Sequence, residues 1–254
     1  MGAITGSQET RLRPESQDTL AEGEANQMKL RTLAVAAALG LLAALPLAEA
    51  GAVKVNVRVE GKTQTLLERN VDTFAHDVTG DNTGPHKCDG TNAGANPSPG
   101  PTLTGAFDDA ARKAGVAWQG LWNQSFEDFL VNTVGPDSAT SSQFWGTALN
   151  FRDTDAGGCQ TRVEQGDQVL IAFDSFNKTK LRLTGVRGTR SRSVFALFVL
   201  DGVTGDRVAG ARVGGKTTNT QGRVLLRITR RGLYRFKATK EDSIRSTEWK
   251  VRIK

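Results

Sequence analysis

The chain has 254 residues, 38% of them hydrophobic, with 33 Lys and Arg against 27 Asp and Glu, a net charge of +6, two cysteines and two histidines. The length leaves room for about two small folded units. The composition excludes a cysteine-rich scaffold, and with no Cys-x-x-Cys pair and no Gly-x-Ser-x-Gly it offers no ready redox or serine-nucleophile motif.

Residues 1–27 are polar, rich in Glu, Gln, Ser and Thr, and have little that could form a core. They read as disordered, or as translated ahead of the true start. Met28-Lys29-Leu30-Arg31 is a short basic head, followed by an apolar run from Leu33 to Leu47 and then Ala48-Glu49-Ala50. That order is a secretory signal over 28–50, with cleavage expected after Ala50, and the run is short for the ~20 residues of a membrane-spanning helix. The expectation is therefore an exported protein, secreted or associated with the cell envelope.

Residues 51–177 carry nine basic and sixteen acidic residues, net −7, whereas residues 178–254 carry twenty basic and five acidic, net +15. A step of this kind marks a boundary between two domains. In the first, Val53-Lys54-Val55-Asn56-Val57-Arg58-Val59 alternates at period two and predicts a strand, with a second one after Gly61. His76 to Pro101 is a long Gly/Asn/Asp/Pro-rich loop holding Cys88. Thr104 can cap a following helix, with Asp108 and Asp109 near its positive end and Gly115 stopping it. An aromatic stretch follows, with Trp118, Trp122, Phe126, Phe129, Phe144 and Trp145, and Gln168 to Phe173 reads as the last strand of the unit.

Cys88 and Cys159 are the whole cysteine inventory, and in an exported chain an even count predicts a disulfide. Closing the 71-residue separation would remove roughly 4.4 kcal/mol of unfolded-chain entropy. The aromatic stretch has two readings: the core of a small unit, or a concave surface in which Trp118, Trp122 and Trp145 hold a planar ligand or a glycan. His76, His86 and Asp81 as metal ligands, or Asp77, Asp81, Asn82 and Asp89 as a calcium loop, lack the regular spacing of known sites, so no metal or cofactor is expected.

Phe144-Trp145-Gly146-x-x-Leu149-Asn150-Phe151, followed by Val163-x-x-Gly166-Asp167-x-Val169, is similar to the β-grasp-like domain found at the C-terminus of transcobalamin and in many secreted bacterial proteins of unknown function. The resemblance implies a small α+β roll over 51–177.

In the second unit, Val194 to Leu200, Arg207 to Val213, Arg223 to Ile228, Leu233 to Ala238 and Trp249 to Ile253 are short β-type runs separated by Gly-, Asp- and Thr-rich turns, which reads as a sandwich. Asp201-x-x-Thr204-Gly205-x-x-Val208-x-Gly210-Ala211-x-Val213, then Thr217-x-x-Thr220-x-Gly222 and Gly232-x-Tyr234-x-x-x-Ala238, resembles bacterial immunoglobulin-like modules related to carboxypeptidase regulatory domains. The resemblance implies an all-β immunoglobulin-like sandwich over 178–254, with Tyr234 a packing and corner residue. Its arginines are either the solvated face of half-buried strands or a surface for an anionic cell-envelope polymer or lipid headgroups. Nucleic acid is not expected, since no recognition motif or interleaved aromatic series accompanies the charge.

With no nucleophile–base pair evident, the sequence points to a non-enzymatic binding module for a small molecule, glycan or protein. The alternative is a structural or adhesive envelope protein held by charge.

Overall fold

The structure, a computed structural model, describes residues 51–254. The polar segment 1–27 and the stretch 28–50, expected from sequence to be a secretory signal, lie outside the described residues. The alternating valines form β1 (Val53–Glu60), which pairs antiparallel with β2 (Thr65–Thr73). β1 also pairs, in parallel, with β8 (Gln168–Phe173), and β8 continues antiparallel to β6 (Trp145–Leu149) and through it to β7 (Arg152–Asp153). The sheet order is thus β2-β1-β8-β6-β7.

One face of this sheet is covered by helix α1 (Leu103–Ala114). Val55, Val57, Val59, Val169 and Ile171 pack there against Leu103, Ala106, Phe107, Ala110 and Ala111. The helix cap lies two residues earlier than the sequence suggests. Thr102, in extended backbone, accepts the Gly105 N–H at 3.1 Å, and Thr104 is buried inside the first turn. Gly115 ends the helix in the left-handed region at φ 67°, where a glycine pays no side-chain penalty.

The part of the aromatic stretch from Trp118 to Phe129 folds into a second, three-stranded sheet, β3 (Trp118–Asn123), β4 (Asp128–Val134) and β5 (Asp137–Ser138), whose Val131 and Val134 join the helix-side core, whereas Trp145 opens β6 of the main sheet. From Thr179 onward the chain is all β. One sheet has β9 (Thr179–Gly185), β11 (Val194–Asp201), β14 (Arg223–Arg227) and β16 (Ser243–Ile244) in the order β14-β11-β9-β16. The facing sheet has β10 (Gly188–Thr189), β15 (Gly232–Phe236) and β17 (Trp249–Ile253) in the order β10-β17-β15. A hairpin of β12 (Arg212–Val213) and β13 (Lys216–Thr217) closes one side. Leu181, Leu183, Leu197, Val199, Val224, Phe236, Val251 and Ile253 meet between the two sheets as a second core. Tyr234 packs against that core and its hydroxyl donates to the Arg230 carbonyl at 3.1 Å, pinning the turn before its own strand.

The alternation of β1 does not leave its second face in water. Lys54 is exposed, but Arg58 and Glu60 are 2% and 1% exposed, because residues from the second half lie over that face. Glu60 accepts from Arg58 at 3.2 Å, Lys237 at 2.8 Å, Arg245 at 2.6 Å and Thr65 at 3.0 Å. Arg245 also donates to the carbonyls of Gly61 and Gln64, and Arg58 donates to the carbonyl of Arg245. Beside this cluster Ile244 packs on Ala148, Leu170 and Ala172. Strand β8 is consequently apolar on both faces, which is why Val169-Leu170-Ile171-Ala172-Phe173 reads as an unbroken run instead of an alternation.

Candidate binding groove at the aromatic hairpin

The β3–β4 hairpin has two unlike faces. On the inner one, Trp118 and Trp122 stand edge-on to Phe129 with ring centroids 5.6 and 5.0 Å away. On the outer one, Leu121 and Leu130 are cross-strand partners, 59% and 57% exposed. Phe126, in the turn between the strands, is 66% exposed. Three large apolar side chains left in water on one short hairpin form a patch that a folded protein does not need for its own core.

Cys88 and Cys159 are bonded to each other and buried with Val78 and Phe129. The bond ties the long 76–101 loop to the 157–161 turn, and hydrogen bonds reinforce it. Asn92 donates to the Glu127 carbonyl at 2.5 Å, Gly90 N–H to the Cys159 carbonyl at 3.1 Å, and Gln160 to the Phe126 carbonyl at 2.8 Å. The hairpin turn is thus held between two cross-linked loops. Between it and residues 155–160 runs a groove of about 430 Å³, lined by Asn123, Phe126, Asp128, Phe129, Leu130, Asp155, Ala156, Gly157 and Gln160.

Asp128 forms the polar floor. Burial pushes its carboxyl up to about 6, although it accepts the N–H groups of Cys159 at 3.2 Å and Phe129 at 2.7 Å. An ideal Cβ on Gly157 would lie 1.6 Å from Oδ2 of Asp128, so only glycine lets the turn approach this carboxyl. The groove therefore sets an apolar wall of Phe126, Phe129, Leu130 and Ala156 beside the polar side chains of Asn123, Asp155 and Gln160, over one buried acid that is neutral in mildly acidic solution, a composition that suits a largely apolar ligand oriented by a few polar contacts.

On the far side of Trp122, the His86 imidazole stacks on the indole at 4.2 Å with an interplanar angle of 13°. Thr83 Oγ1 lies 2.6 Å and Asp81 Oδ1 3.3 Å from the same His86 nitrogen, Nε2. A nucleophile–base–carboxylate relay needs hydroxyl and carboxylate on opposite ring nitrogens. This arrangement instead braces the loop. Two hydrogen bonds from Thr83, with a further one from the Trp122 N–H, hold the Asp81 carboxyl down at about 2.

Of the three tryptophans singled out by sequence, the structure brings Trp118 and Trp122 together around Phe129. It places Trp145 elsewhere, 4% exposed and edge-on to Phe173 at 5.5 Å on the helix-covered face of the main sheet. Trp118 is itself committed to packing. It tilts against Phe107 and donates to Asp108 at 2.9 Å, and Gly80 sits beneath it where a Cβ would be 2.3 Å from Cη2. His76 lies apart from His86, facing Asp108 and Asp109 at 4.0 and 3.9 Å. Among the described residues no three His, Cys, Asp or Glu gather as a metal site. Phe126, Leu130 and Asp128, which line the groove, were not expected as site residues. Their signal in the sequence is a turn carrying apolar residues that the period-two pattern sends outward.

A second cleft, of about 500 Å³, follows the seam between the halves and is lined by residues including Asn56, Glu68, Phe151, Arg182, Arg187, Glu248 and Trp249. Several of its charges are already engaged: Arg187 lies 3.3 Å over the Trp249 ring, Glu248 accepts from Arg235 at 2.6 Å, and Glu68 accepts the Glu248 N–H at 2.8 Å. The hairpin groove, by contrast, presents unsatisfied apolar surface. Compared with known proteins, the chain matches no family model and no curated sequence.

Proposed function

We propose that this chain is an exported, non-enzymatic binding module whose contact surface is the hairpin groove, and that its ligand is an apolar small molecule or an apolar segment of a glycan or protein. The observation that carries the reading is the exposure of Phe126 and Leu130 at the rim of a groove whose floor is the buried acid Asp128. The remainder of the chain is the frame. The order β2-β1-β8-β6-β7 with a parallel central pair supports a β-grasp-like first unit over 51–177. Two sheets enclosing one core support an immunoglobulin-like second unit over 178–254. The cross-linked loops preorganise the groove, which lowers the entropic cost of binding.

The test is titration of the purified protein with the fluorescent apolar probe anilinonaphthalene sulfonate. Saturable binding is expected, weakened about tenfold or more in Phe126→Ala/Leu130→Ala and unchanged in a control carrying Leu225→Ala, an exposed leucine of the second half. Absence of saturable binding, or equal loss in the control, would overturn the assignment.

A further inference from the structure

The carboxylate side chains of the second half are confined to one end of it, while its basic residues run along the whole length. Strands β11 and β14 are antiparallel, as are β15 and β17, so one end of the paired sheets collects the start of β11 and β15 and the finish of β14 and β17. That end carries Arg190, Arg192, Arg230 and Arg231 in its loops and Arg227 as the last residue of β14, all exposed. The five carboxylate side chains of this half, at Asp201, Asp206, Glu241, Asp242 and Glu248, lie at or beyond the opposite ends of those strands. Among the described residues none of the five arginines forms an ion pair. Lys254, also at this end, brings its own α-carboxylate and is left out of the count.

The arginine-bearing loops are fixed to one another. Arg192 N–H donates to the Ile228 carbonyl at 2.8 Å, Ser191 Oγ to Thr229 at 2.6 Å, and Arg227 Nε to the Arg192 carbonyl at 2.8 Å. Val194 and Leu233, 62% and 44% exposed, flank the end on the outer faces of the two sheets. Five unpaired guanidinium groups on a braced end suit phosphate, which they can grip with two parallel N–H bonds each. A loop end bordered by exposed aliphatic side chains suits a flat, phosphate-bearing layer with an apolar interior better than a polymer chain, which is gripped along a groove.

We infer that this arginine end is a docking surface for an anionic phospholipid bilayer, with Val194 and Leu233 entering the headgroup layer. It is a site separate from the hairpin groove and does not depend on what the groove binds. The carboxylate side chains gathered at the far end offset the basic groups there, whereas the arginine end has none to offset its charge, so an anionic membrane favours an end-on approach.

Sedimentation of the intact protein with vesicles tests this. Binding is expected to vesicles of 30% phosphatidylglycerol in phosphatidylcholine, not to phosphatidylcholine alone, and to fall steeply between about 50 and 500 mM salt. At about fivefold per guanidinium near the surface, Arg190→Gln/Arg230→Gln/Arg231→Gln should weaken binding by about 100-fold. Arg212→Gln/Lys216→Gln/Lys240→Gln, which removes the same charge elsewhere on the half, should have little effect. Equal weakening by both triples, or no binding by the wild type, overturns the site. Val194→Ser/Leu233→Ser should weaken vesicle binding several-fold; no change would assign the end to a soluble phosphate polymer and overturn the bilayer. Single arginine variants read the same trend if the triple fails to fold.

Discussion

Glu60 in the first strand and Arg245 near the end of the chain form an ion pair at 2.6 Å across the seam between the two halves. Glu60 is 1% exposed and also meets Arg58 and Lys237. Removing it leaves buried Arg58 and part-buried Arg245 without a carboxylate partner, while Lys237 keeps Glu68 at 2.6 Å, and loss of one partner from such a cluster costs about 3–5 kcal/mol. Glu60→Ala should lower the free energy of unfolding by that amount in urea titration and separate the transitions of the two halves. A single transition at the wild-type midpoint would mean that the cluster does not hold the seam.

The same residue sets an acid limit. Burial pulls the Glu60 carboxyl up, but the charges of Arg58, Lys237 and Arg245 outweigh it and leave the carboxyl below its ordinary value. Its contribution is present above the unfolded-chain value of about 4.3 and is lost as pH falls through the depressed folded value. Stability should therefore drop on acidification below about pH 4 in the wild type, and less in Glu60→Ala, which has little left to lose.

Asp128 slopes the other way. Its folded carboxyl is raised to about 6 by burial, so the folded state holds a proton that the unfolded chain has released. Stability due to this group is greatest below about pH 4, falls as pH rises from about 4 to 6, and stays reduced above that. Asp128→Asn keeps an acceptor for the N–H groups of Phe129 and Cys159. It should flatten this part of the stability profile and leave the protein on the order of 2 kcal/mol more stable than wild type at pH 7, as read from urea unfolding at pH 4, 5, 6 and 7. A parallel profile in the variant would show that Asp128 does not titrate there.

The Cys88–Cys159 bond closes a separation of 71 residues. Replacing both with alanine should cost about 4 kcal/mol and weaken probe binding at the hairpin groove, because the 157–161 turn is then tied to the long loop only by hydrogen bonds. Retention of wild-type probe affinity after reduction would show the groove to be built by the hairpin alone.

Gly80→Ala places a Cβ 2.3 Å from Trp118 and 3.0 Å from Phe129. Overpacking of this kind costs about 1–3 kcal/mol. Pairing it with Trp118→Leu relieves the contact, so the double variant should cost less than the two single losses combined. Strict additivity would place the strain elsewhere.

The sequence made strands legible where apolar and polar residues alternate cleanly, as in β1, β15 and β17, but not β3, β4 or β9, which also have one wet face. Leu233 and Arg235 point outward from β15 and Tyr234 and Phe236 inward, as the alternation predicts. β8 was legible by a different mark, its unbroken apolar run. The burial of Arg58 and Glu60 was not legible, because a charged residue in an alternating strand looks the same whether water or a distant set of arginines and lysines meets it. Trp118, Trp122 and Trp145 are indistinguishable by composition, and only the register of the sheets separates the pair around Phe129 from the one in the core. Thr102 and Thr104 are both competent caps, and the choice between them falls to the backbone: Thr102 is extended, Thr104 already helical.

The partners of Glu60, Lys237 and Arg245, lie 177 and 185 residues further along the chain. As the polypeptide emerges from its N-terminal end, the first sheet can gather its helix-side core early, yet its rear face keeps a salt pair and the small residues Ala148 and Ala172 in water until almost the last residue is made. The seam is therefore completed only by residues near the end of the chain, and a chain that stops short of residue 244 lacks both the arginine that pairs with Glu60 and the isoleucine that covers Ala148 and Ala172.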